Sequence, residues 1–310
     1  MNILIAGASG FIGHELVNTL QFNHKITVLG RNKQALLQKF SKISACHDWH
    51  ELDKLNANDY DAIINLCGEN IANARWSDTV KKNLIASRVE TSEKLINWCI
   101  SQNAKPHFIC ANAIGIYGVQ ASDDATSLDE NTPINTHNPA DFLTEICVKW
   151  EEALKPAIDH GMPVTTTRFG VVLKKQQGML KKLFPSFFMG LGSLVGDGQQ
   201  CLSWVHIDDV VGGIAFLLEH PELTGPFNLT SPHPLSQAAF AQTLAKAMHR
   251  PLFLTMPSFI VKLLFGEMGD YLLLKGQRVL PTRLIDVGYQ FKYPKLNAAL
   301  KQEFMAIKNN

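Results

Sequence analysis

Three glycines near the start of the sequence are spaced as in a loop that binds a diphosphate. Gly7, Gly10 and Gly13 follow the apolar run 2–6 and lead into a helical pattern over residues 14–20. In such a strand–turn–helix unit, the first glycine permits the tight turn, the second lets the backbone approach the diphosphate, and the third lets the helix pack close to the strand. Free N–H groups and the positive dipole end of the helix favour the anion. We therefore predict a dinucleotide-binding loop formed by Gly7, Ser9, Gly10, Phe11, Ile12 and Gly13.

The residues after the second predicted strand, 25–29, indicate which dinucleotide is bound. An acidic side chain at this place accepts hydrogen bonds from the 2′-hydroxyl of NAD, whereas arginine accommodates the 2′-phosphate of NADP. The strand ends at Gly30 and Arg31, and no carboxylate follows to repel a phosphate. The alternative is that Arg31 is an ordinary solvated residue. We predict binding of NADP(H) in preference to NAD(H), with Gly30 and Arg31 at the adenosine end.

A further apolar strand, within residues 60–68, ends in the small or apolar residues Leu66, Cys67 and Gly68. In a parallel sheet the carboxyl ends of such strands lie together at one edge, beside the adenosine and its ribose. Leu66, Cys67 and Gly68 are therefore predicted to form a wall of the cofactor site.

The composition indicates which class of binding partner to expect. The 310 residues include 29 basic and 28 acidic side chains, so no large basic surface for nucleic acid or anionic lipid is expected, and we predict a small-molecule substrate. Hydrophobic residues make up 46% of the chain, enough for a sizeable core. The apolar stretches 183–195 and 253–265 are too short and too interrupted to cross a membrane, and they are predicted to be core.

The cysteines and the N-terminal residues indicate the cellular compartment. Six cysteines lie far apart without a Cys-x-x-Cys pair, so we expect neither a disulfide framework nor a metal site. The first strand begins at residue 2 with no basic and apolar leader before it. The expectation is a cytoplasmic protein with reduced thiols.

Several motifs resemble one family. The glycine motif ends in Phe-Ile-Gly, and it is followed by Gly-Glu-Asn-Ile-Ala at 68–72, Arg-Trp at 75–76 and Ser-Arg-Val-x-Thr at 87–91. Together they resemble the atypical, epimerase-like branch of the extended short-chain dehydrogenase/reductase superfamily, commonly labelled nucleoside-diphosphate-sugar epimerase. The motifs after residue 250 are similar to the C-terminal domain of unknown function specific to that branch. The resemblance implies cofactor contacts from Asn83, Arg88 and Val172; the alternative for Arg88 is an exposed helix charge.

Strands that alternate with helices predict an α/β fold, a Rossmann-like doubly wound parallel sheet with a smaller C-terminal domain. The apolar patterns predict helices over 79–101 and 141–158 and a parallel strand over 164–173. We place the cofactor-binding domain at residues 1–240 and the smaller domain, which contributes to the substrate cleft, at residues 241–310. Whether the chain acts as a monomer or as a homodimer is left open.

The catalytic positions depart from the pattern of the family. Asn112 and Ile116 stand where the branch has Ser and Tyr, and Leu143 and Cys147 occupy the places of its catalytic Tyr and Lys. The Tyr-x-x-x-Lys at 271–275 lies in an apolar C-terminal segment and is interpreted as unrelated to catalysis.

We predict Asn112 and Tyr117 as the catalytic residues; the alternative for Tyr117 is a packed aromatic side chain. The Asn112 amide would hold the reacting oxygen, and the Tyr117 phenol would donate a proton if a cation such as Arg88 lowers its pKa. Glu69 and His206 are the next candidates, although a structural role beside Asp208 is the favoured interpretation of His206. The predicted function is an NADP(H)-binding, epimerase-like oxidoreductase acting on a small molecule, for which a nucleotide sugar is one candidate. The alternative is a non-catalytic NADPH-binding regulatory or redox-sensing protein.

Overall fold

A twisted sheet flanked by helices forms the body of the protein, whose computed structural model describes residues 1–305. The strands are β1 Asn2–Ala6, β2 Lys25–Gly30, β3 Ala45–Asp48, β4 Ala62–Asn65, β5 His107–Ala113, β6 Val164–Phe169, β7 Val171–Lys174, β8 Ser193–Val195, β9 Cys201–Leu202, β10 Trp204–His206, β11 Gly225–Leu229, β12 Leu235–Ser236 and β13 Leu254–Met256.

Helices connect most of these strands, as parallel pairing requires. The α-helices are α1 Phe11–Leu20, α2 Lys33–Lys39, α3 Asp78–Ser101, α4 Phe142–Glu152, α5 Lys155–Asp159, α6 Gly178–Phe188, α7 Ile207–Glu219, α8 Gln237–Ala247, α9 Ser258–Gly269, α10 Thr282–Asp286 and α11 Leu296–Met305. Short 3₁₀ turns cover Leu52–Lys54, Ala57–Asp59 and Ile114–Tyr117, and Asp270–Leu274 forms a π-helical turn.

Seven strands make the main sheet, in the order β11-β6-β5-β4-β1-β2-β3, and every neighbouring pair is parallel. The strand order reverses direction between β1 and β4, which is the place where ligands bind in doubly wound sheets. The predicted Rossmann-like α/β fold is confirmed. The predicted domain boundary between residues 240 and 241 falls inside α8 and stays a prediction.

Successive side chains of the central strand β1 enter different cores. Ile3 and Ile5 pack with α1 and α7 on one face of the sheet. Leu4 and Ala6 pack with α3, α4 and α5 on the other. Because both faces are covered by helices, β1 is apolar at every position from Ile3 to Ala6 instead of alternating with polar residues.

Two predicted elements are broken in the structure. The strand expected over 164–173 stops at Gly170, where an added Cβ would lie 2.7 Å from the carbonyl oxygen of Ser203. Beyond that contact β7 leaves the main sheet and pairs with β10. The helix expected over 141–158 divides into α4 and α5 because Pro156 starts a new helix, and Ile158, at the end of the apolar helical spacing, is 58% exposed.

The prediction that 183–195 and 253–265 belong to the core is wrong for part of each stretch. Phe253 is 80% exposed and Leu263 is 72% exposed, and Met189 is 65% exposed. Strands β8 and β13 of these stretches pair with each other, and α6 and α9 lie in the same two segments. We call residues 178–198 and 250–275 the outer lobe.

The described part of the chain, residues 1–305, contains no helix that is both long enough and apolar enough to cross a membrane.

Candidate functional site

The turn after β1 leaves no room for a side chain at its first glycine. Gly7 has φ of +81°, a conformation that favours glycine. An added Cβ would lie 2.6 Å from both the carbonyl carbon and the oxygen of Leu66. The turn therefore lies directly against the backbone that follows β4, and only glycine allows this approach.

The start of α1 is closely packed against the same turn. A Cβ on Gly13 would lie 2.4 Å from the carbonyl oxygen of Gly7, to which the N–H of Gly10 donates at 3.0 Å. Gly10 is the N-cap, no side chain caps the helix, and its first turn contains no acidic residue. The uncapped N–H groups and the dipole of α1 thus remain suited to a phosphate. This cradle fits the diphosphate of a dinucleotide.

The remaining residues predicted at the loop lie around this turn. Ser9 is exposed, and its carbonyl oxygen accepts a hydrogen bond from the ammonium of Lys39 at 2.7 Å. Phe11 lies beneath the Gly178 turn, where a Cβ would be 3.3 Å from its ring. Ile12 is half-buried at the first turn of α1.

The end of β2 presents Arg31 to solvent. A Cβ on Gly30 would lie 2.7 Å from the side chain of Leu36, which holds α2 against the strand. Asn32 accepts a hydrogen bond from the N–H of Ala35 at 3.0 Å and so caps α2. Arg31 is exposed next to this cap, without a side-chain ion pair within residues 1–305.

Of the wall predicted after β4, Leu66 and Cys67 are half-buried and Gly68 is exposed. The N–H of Cys67 donates to the Asn65 side chain at 3.1 Å. Burial raises the pKa of the Cys67 thiol to about 12, against the opposing charge of Arg31. A Cβ on Gly68 would lie 3.2 Å from the guanidinium carbon of Arg88.

The guanidinium of Arg88 is directed into the protein. It donates to the carbonyl oxygens of Leu84 and Glu69, each at 2.8 Å, and lies 5.1 Å from the ring centroid of Trp150. Burial lowers the pKa of Arg88. The alternative interpretation of Arg88 as an exposed helix charge is wrong, whereas Asn83, five residues earlier on α3, is exposed.

Val172 lies on β7 opposite Val205, at the edge of the core that faces α1 and α7. It is half-buried and lies outside the main sheet. The cofactor contact of Val172 stays a prediction.

A second set of polar residues crosses the other half of the sheet. Asn112 on β5 is in register with Arg168 on β6, and Arg168 is in register with Asn228 on β11. Residues in register on parallel strands direct their side chains to the same face. The structure thus brings together three polar side chains that are 56 and 60 residues apart in the sequence.

Arg168 is the centre of this set. Its guanidinium, 3% exposed, makes a two-pronged ion pair with Glu151, with Nε–Oε1 and Nη2–Oε2 distances of 2.8 Å. Its Nη1 donates to the phenol oxygen of Tyr117, also at 2.8 Å. Burial opposes the charge of Arg168, but the hydrogen bonds and charge of Glu151 outweigh it and raise the pKa of the guanidinium. Arg168 therefore stays charged although it is buried.

Tyr117 is held between two of these residues. Its hydroxyl donates to the side-chain oxygen of Asn228 at 2.8 Å and accepts from Arg168. Burial raises the pKa of Tyr117, and the neighbouring Arg168 opposes the rise. The cation next to Tyr117 is Arg168, so the expectation that Arg88 supplies it is wrong.

Asn112 is fully engaged within the protein. Its amide nitrogen donates to the carbonyl oxygen of Cys147 and to Glu151, each at 3.0 Å, and its oxygen accepts from the N–H of Ala113 at 2.8 Å. The residue is 2% exposed. Both amide protons are used, so none remains for a substrate carbonyl in this conformation.

The two positions that replace the usual catalytic pair lie beneath the turn after β5. A Cβ on Gly115 would lie 3.2 Å from Leu143 and 3.5 Å from the sulfur of Cys147. Burial raises the pKa of the Cys147 thiol to about 12. Neither side chain can take over acid–base chemistry at neutral pH.

His206 has a structural role. It is 1% exposed, its Nδ1 accepts from the N–H of Asp208 at 3.1 Å, and its Nε2 lies 2.9 Å from a carboxylate oxygen of Glu303. These bonds attach α11 to the start of α7. The prediction of a satisfied structural histidine agrees with this geometry.

Arg278 is a candidate that the sequence analysis did not single out. Its Nε is buried and finds no hydrogen-bond partner within residues 1–305. The backbone N–H of Arg278 donates to the side chain of Gln120 at 2.6 Å, and the carbonyl oxygen of Leu280 accepts from the amide of Asn228 at 2.9 Å. Arg278 is therefore two residues from the backbone group that holds the partner of Tyr117.

Comparison with known proteins extends over nearly the whole chain. Residues 3–230 match the NAD dependent epimerase/dehydratase family, and residues 256–303 match a domain of unknown function, DUF1731. An epimerase family protein of Mycobacterium bovis is 36% identical over 303 residues, which cover 96% of each chain. The human epimerase family protein SDR39U1 is 34% identical over 305 residues, covering 97% of this chain and 99% of the relative.

Two solved structures align with nearly the whole chain. The crystal structure of human SDR39U1 (isoform 2) with NADPH aligns with a TM-score of 0.88 at 31% identity, over 98% of this chain and 99% of that chain. A UDP-glucuronic acid 4-epimerase from Bacillus cereus in complex with NAD aligns with a TM-score of 0.76 at 18% identity, over 99% of both chains. The second likeness shows the shared fold.

Proposed function

This chain belongs to the NAD dependent epimerase/dehydratase family, and we propose on that premise that it is an NADP(H)-dependent oxidoreductase acting on a small molecule. The resemblance drawn from its motifs, including that of the C-terminal domain, is confirmed by the family matches. The observation that carries the proposal is the position of Tyr117, whose hydroxyl is held by Arg168 and Asn228 at the edge of the sheet that also carries the glycine loop.

The glycine loop and α1 would hold the diphosphate of the cofactor. The cradle in which a Cβ on Gly7 or Gly13 would overlap backbone atoms, together with the uncapped start of α1, supports this role. The human relative was crystallised with NADPH, and Arg31 lies exposed where a 2′-phosphate would be read. When bound, the nicotinamide would exchange a hydride with the substrate.

Tyr117 would donate the proton to the reacting oxygen, for which its O–H must turn from Asn228, the acceptor in this conformation, to the substrate. Because burial raises its pKa, the phenol stays protonated at neutral pH and is suited to donate a proton. Arg168 lies 2.8 Å from the phenol oxygen and would stabilise the phenolate left after transfer. Asn112, which has no free donor, would position Glu151 and through it Arg168.

Arg278 supports a substrate that carries an oxyanion, as a nucleotide sugar does. A buried guanidinium N–H without an acceptor costs about 1–3 kcal/mol, which an anionic group would recover by accepting from Nε and a neighbouring N–H. The diphosphate of a nucleotide sugar would satisfy this requirement.

The experiment is a turnover assay with NADPH over a panel of nucleoside-diphosphate sugars and simple carbonyl compounds. With an active substrate in hand, Tyr117→Phe should lower kcat about a hundredfold and leave the Kd for NADPH nearly unchanged. Tyr289→Phe is the matched control, because it removes a phenol that donates to the carbonyl oxygen of Asp209 at 3.1 Å outside the site. Equal kcat in the Tyr117 variant and the wild type would refute the assignment.

A non-catalytic NADPH-binding protein is the second candidate. The observations that favour it are the engaged amide of Asn112 and the apolar or inert replacements Leu143 and Cys147. NADPH binding by calorimetry without cofactor oxidation by any member of the panel would support this candidate. Turnover of a single compound would exclude it.

A further inference from the structure

Glu130 is a half-buried carboxylate in the polar loop that precedes α4. Its Oε1 accepts a hydrogen bond from the backbone N–H of Asn228 at 2.8 Å, and its Oε2 accepts from the backbone N–H of Arg283 at 3.3 Å. Within residues 1–305 no lysine, arginine or histidine forms an ion pair with Glu130. Backbone groups therefore hold this charge where a cation would be expected.

The bond to Asn228 closes an open edge of the main sheet. β11 is the outermost strand at one end of that sheet, so the N–H groups on its outer side have no neighbouring strand. Such groups need another acceptor when they are buried, and Asn228 is 0% exposed. Glu130 supplies that acceptor and thereby fixes the backbone of β11 at Asn228.

The side chain of Asn228 leads from this fixed point to Tyr117. Its Oδ1 accepts from the Tyr117 hydroxyl at 2.8 Å, and its Nδ2 donates to the carbonyl oxygen of Leu280 at 2.9 Å. The backbone N–H and both ends of the side-chain amide of Asn228 are thus engaged. Because Asn228 is held at three points, the Tyr117 hydroxyl has a fixed acceptor.

The region that matches DUF1731 completes the hold on β11. The guanidinium of Arg283 on α10 donates to the carbonyl oxygens of Pro226 at 2.7 Å and Thr224 at 3.0 Å. The same guanidinium lies 4.0 Å from the ring centroid of Phe227. Arg283 therefore holds the chain directly before Asn228.

The charge of Glu130 also acts on Tyr117. Burial is the main cause of the raised pKa of Tyr117, and the negative charge of Glu130 adds to it, whereas Arg168 opposes the rise. Burial raises the pKa of Glu130 as well, so Glu130 takes up a proton at a higher pH than an ordinary glutamate does. The charged and titratable groups around Glu130 are Asp129 on its own loop, Arg283 on α10, Tyr117 after β5 and, beyond Tyr117, Arg168 on β6.

We propose that Glu130 is a positioning residue for Tyr117, because it holds Asn228 and thereby fixes the phenol and joins the DUF1731 region to the site. The inference rests on the proposed role of Tyr117 as proton donor. A carboxylate accepts N–H bonds about twice as strongly as a neutral group does. Loss of the charge on Glu130 should therefore loosen Asn228 and change the surroundings of Tyr117.

NMR of the full chain labelled with [13Cζ]tyrosine tests this link without a substrate. The chain contains five tyrosines, and Tyr117→Phe identifies the Tyr117 signal. In the wild type we expect that signal to shift in one step as the pH is lowered, with a midpoint above the ordinary glutamate value of about 4.3. Glu130→Gln keeps an acceptor oxygen but carries no charge, so its Tyr117 signal should lack the step.

Asp129→Asn is the matched control. It removes the neighbouring charge on the same loop and keeps an acceptor for the N–H of Asn131, which lies 2.9 Å from the Asp129 carboxylate. Its Tyr117 signal should retain the step. A wild-type signal without a step overturns the proposal whether or not any variant folds, and a step that persists in folded Glu130→Gln overturns it as well.

Kinetics give the second measurement once an active substrate is known. Glu130→Ala should lower kcat at least about tenfold with KM and the Kd for NADPH nearly unchanged, and Glu130→Gln should restore part of kcat. Full kcat in Glu130→Ala would overturn the positioning role. Full kcat in Tyr117→Phe would refute the proposed function alone, because the NMR step joins Glu130 to Tyr117 whether or not the phenol transfers a proton.

Discussion

The carboxyl ends of the main-sheet strands form two different kinds of surface. At the ends of β1, β2 and β4, backbone packs on backbone, as at Gly7, and few side chains intrude. At the ends of β5, β6 and β11, a connected set of polar side chains centred on Arg168 covers the edge. The first surface is shaped by missing side chains, and the second is held together by charged ones.

We call the ends of β1, β2 and β4 the glycine half of the sheet edge and the ends of β5, β6 and β11 the polar half. The two halves should respond differently to substitution. In the glycine half, an atom added at Gly7 or Gly13 meets backbone, so both cofactor binding and folding should suffer. In the polar half, the free energy resides in a few hydrogen-bonded charges, so the effect should depend on which partner remains. Four predictions test this difference, in order of expected size.

The largest effect is expected for Gly7→Ala. The added methyl group would overlap the backbone of Leu66 at 2.6 Å, and φ of +81° adds strain for any residue with a Cβ. We expect a loss of about 3–5 kcal/mol in the free energy of unfolding and at least a hundredfold weaker NADPH binding. Chemical denaturation and calorimetry measure the two quantities.

Gly288→Ala is the control for that experiment. Gly288 has φ of +86°, but an added Cβ meets nothing within 4 Å, so only the strain of about 1 kcal/mol should appear. Equal losses in the two variants would mean that close packing against the β4 end does not distinguish the glycine loop.

The polar half is tested by Glu151→Ala, which leaves the buried charge of Arg168 without its partner. We expect a loss of about 3 kcal/mol in the free energy of unfolding, because an uncompensated buried cation is costly. The double variant Glu151→Ala/Arg168→Met should lose clearly less than the sum of the two single variants. Strictly additive losses would contradict the coupling of Glu151 and Arg168.

A pH experiment tests whether His107, at the start of β5, which ends in the polar half, limits the stability of the folded protein in acid. Burial lowers the pKa of His107 to about 4, and its Nε2 lies 2.9 Å from the hydroxyl of Thr165. The unfolded chain binds this proton near pH 6.5, so the stability from a neutral His107 is present above pH 6.5 and is lost as pH falls toward 4.

The expected loss is about 2–3 kcal/mol between pH 6.5 and pH 4, and His107→Gln should flatten it. Urea denaturation at a series of pH values gives the slope. His50→Gln, at an exposed position, is the control and should leave the slope unchanged. A variant at His107 with the full wild-type slope would place the acid sensitivity elsewhere.

The smallest effect is expected for Arg31→Ala. Loss of a charge-assisted contact to the 2′-phosphate should weaken NADPH binding about tenfold and leave NADH binding almost unchanged. Titration calorimetry with both dinucleotides measures the ratio. Lys25→Ala, at an exposed residue at the start of β2, is the control. An unchanged ratio would remove Arg31 from the cofactor site.

The sequence by itself determined the glycine half because its information is local. Gly7, Gly10 and Gly13 lie within seven residues, and a strand before them and a helix after them suffice to predict the loop. The alternation of apolar strands and helices likewise predicted the parallel sheet, and the long helix expected over 79–101 is α3, Asp78–Ser101.

Only the tertiary structure showed which side chains meet in the polar half and which apolar residues of the outer lobe are exposed. Asn112, Arg168 and Asn228 lie on separate strands, and their contact depends on the register of β5, β6 and β11, which no short segment specifies. The same limit made Arg88 a plausible partner of Tyr117 when Arg168 is the actual one. Apolar composition also predicted core for 253–265, but burial requires a covering layer, and within residues 1–305 the chain supplies none over Phe253 and Leu263.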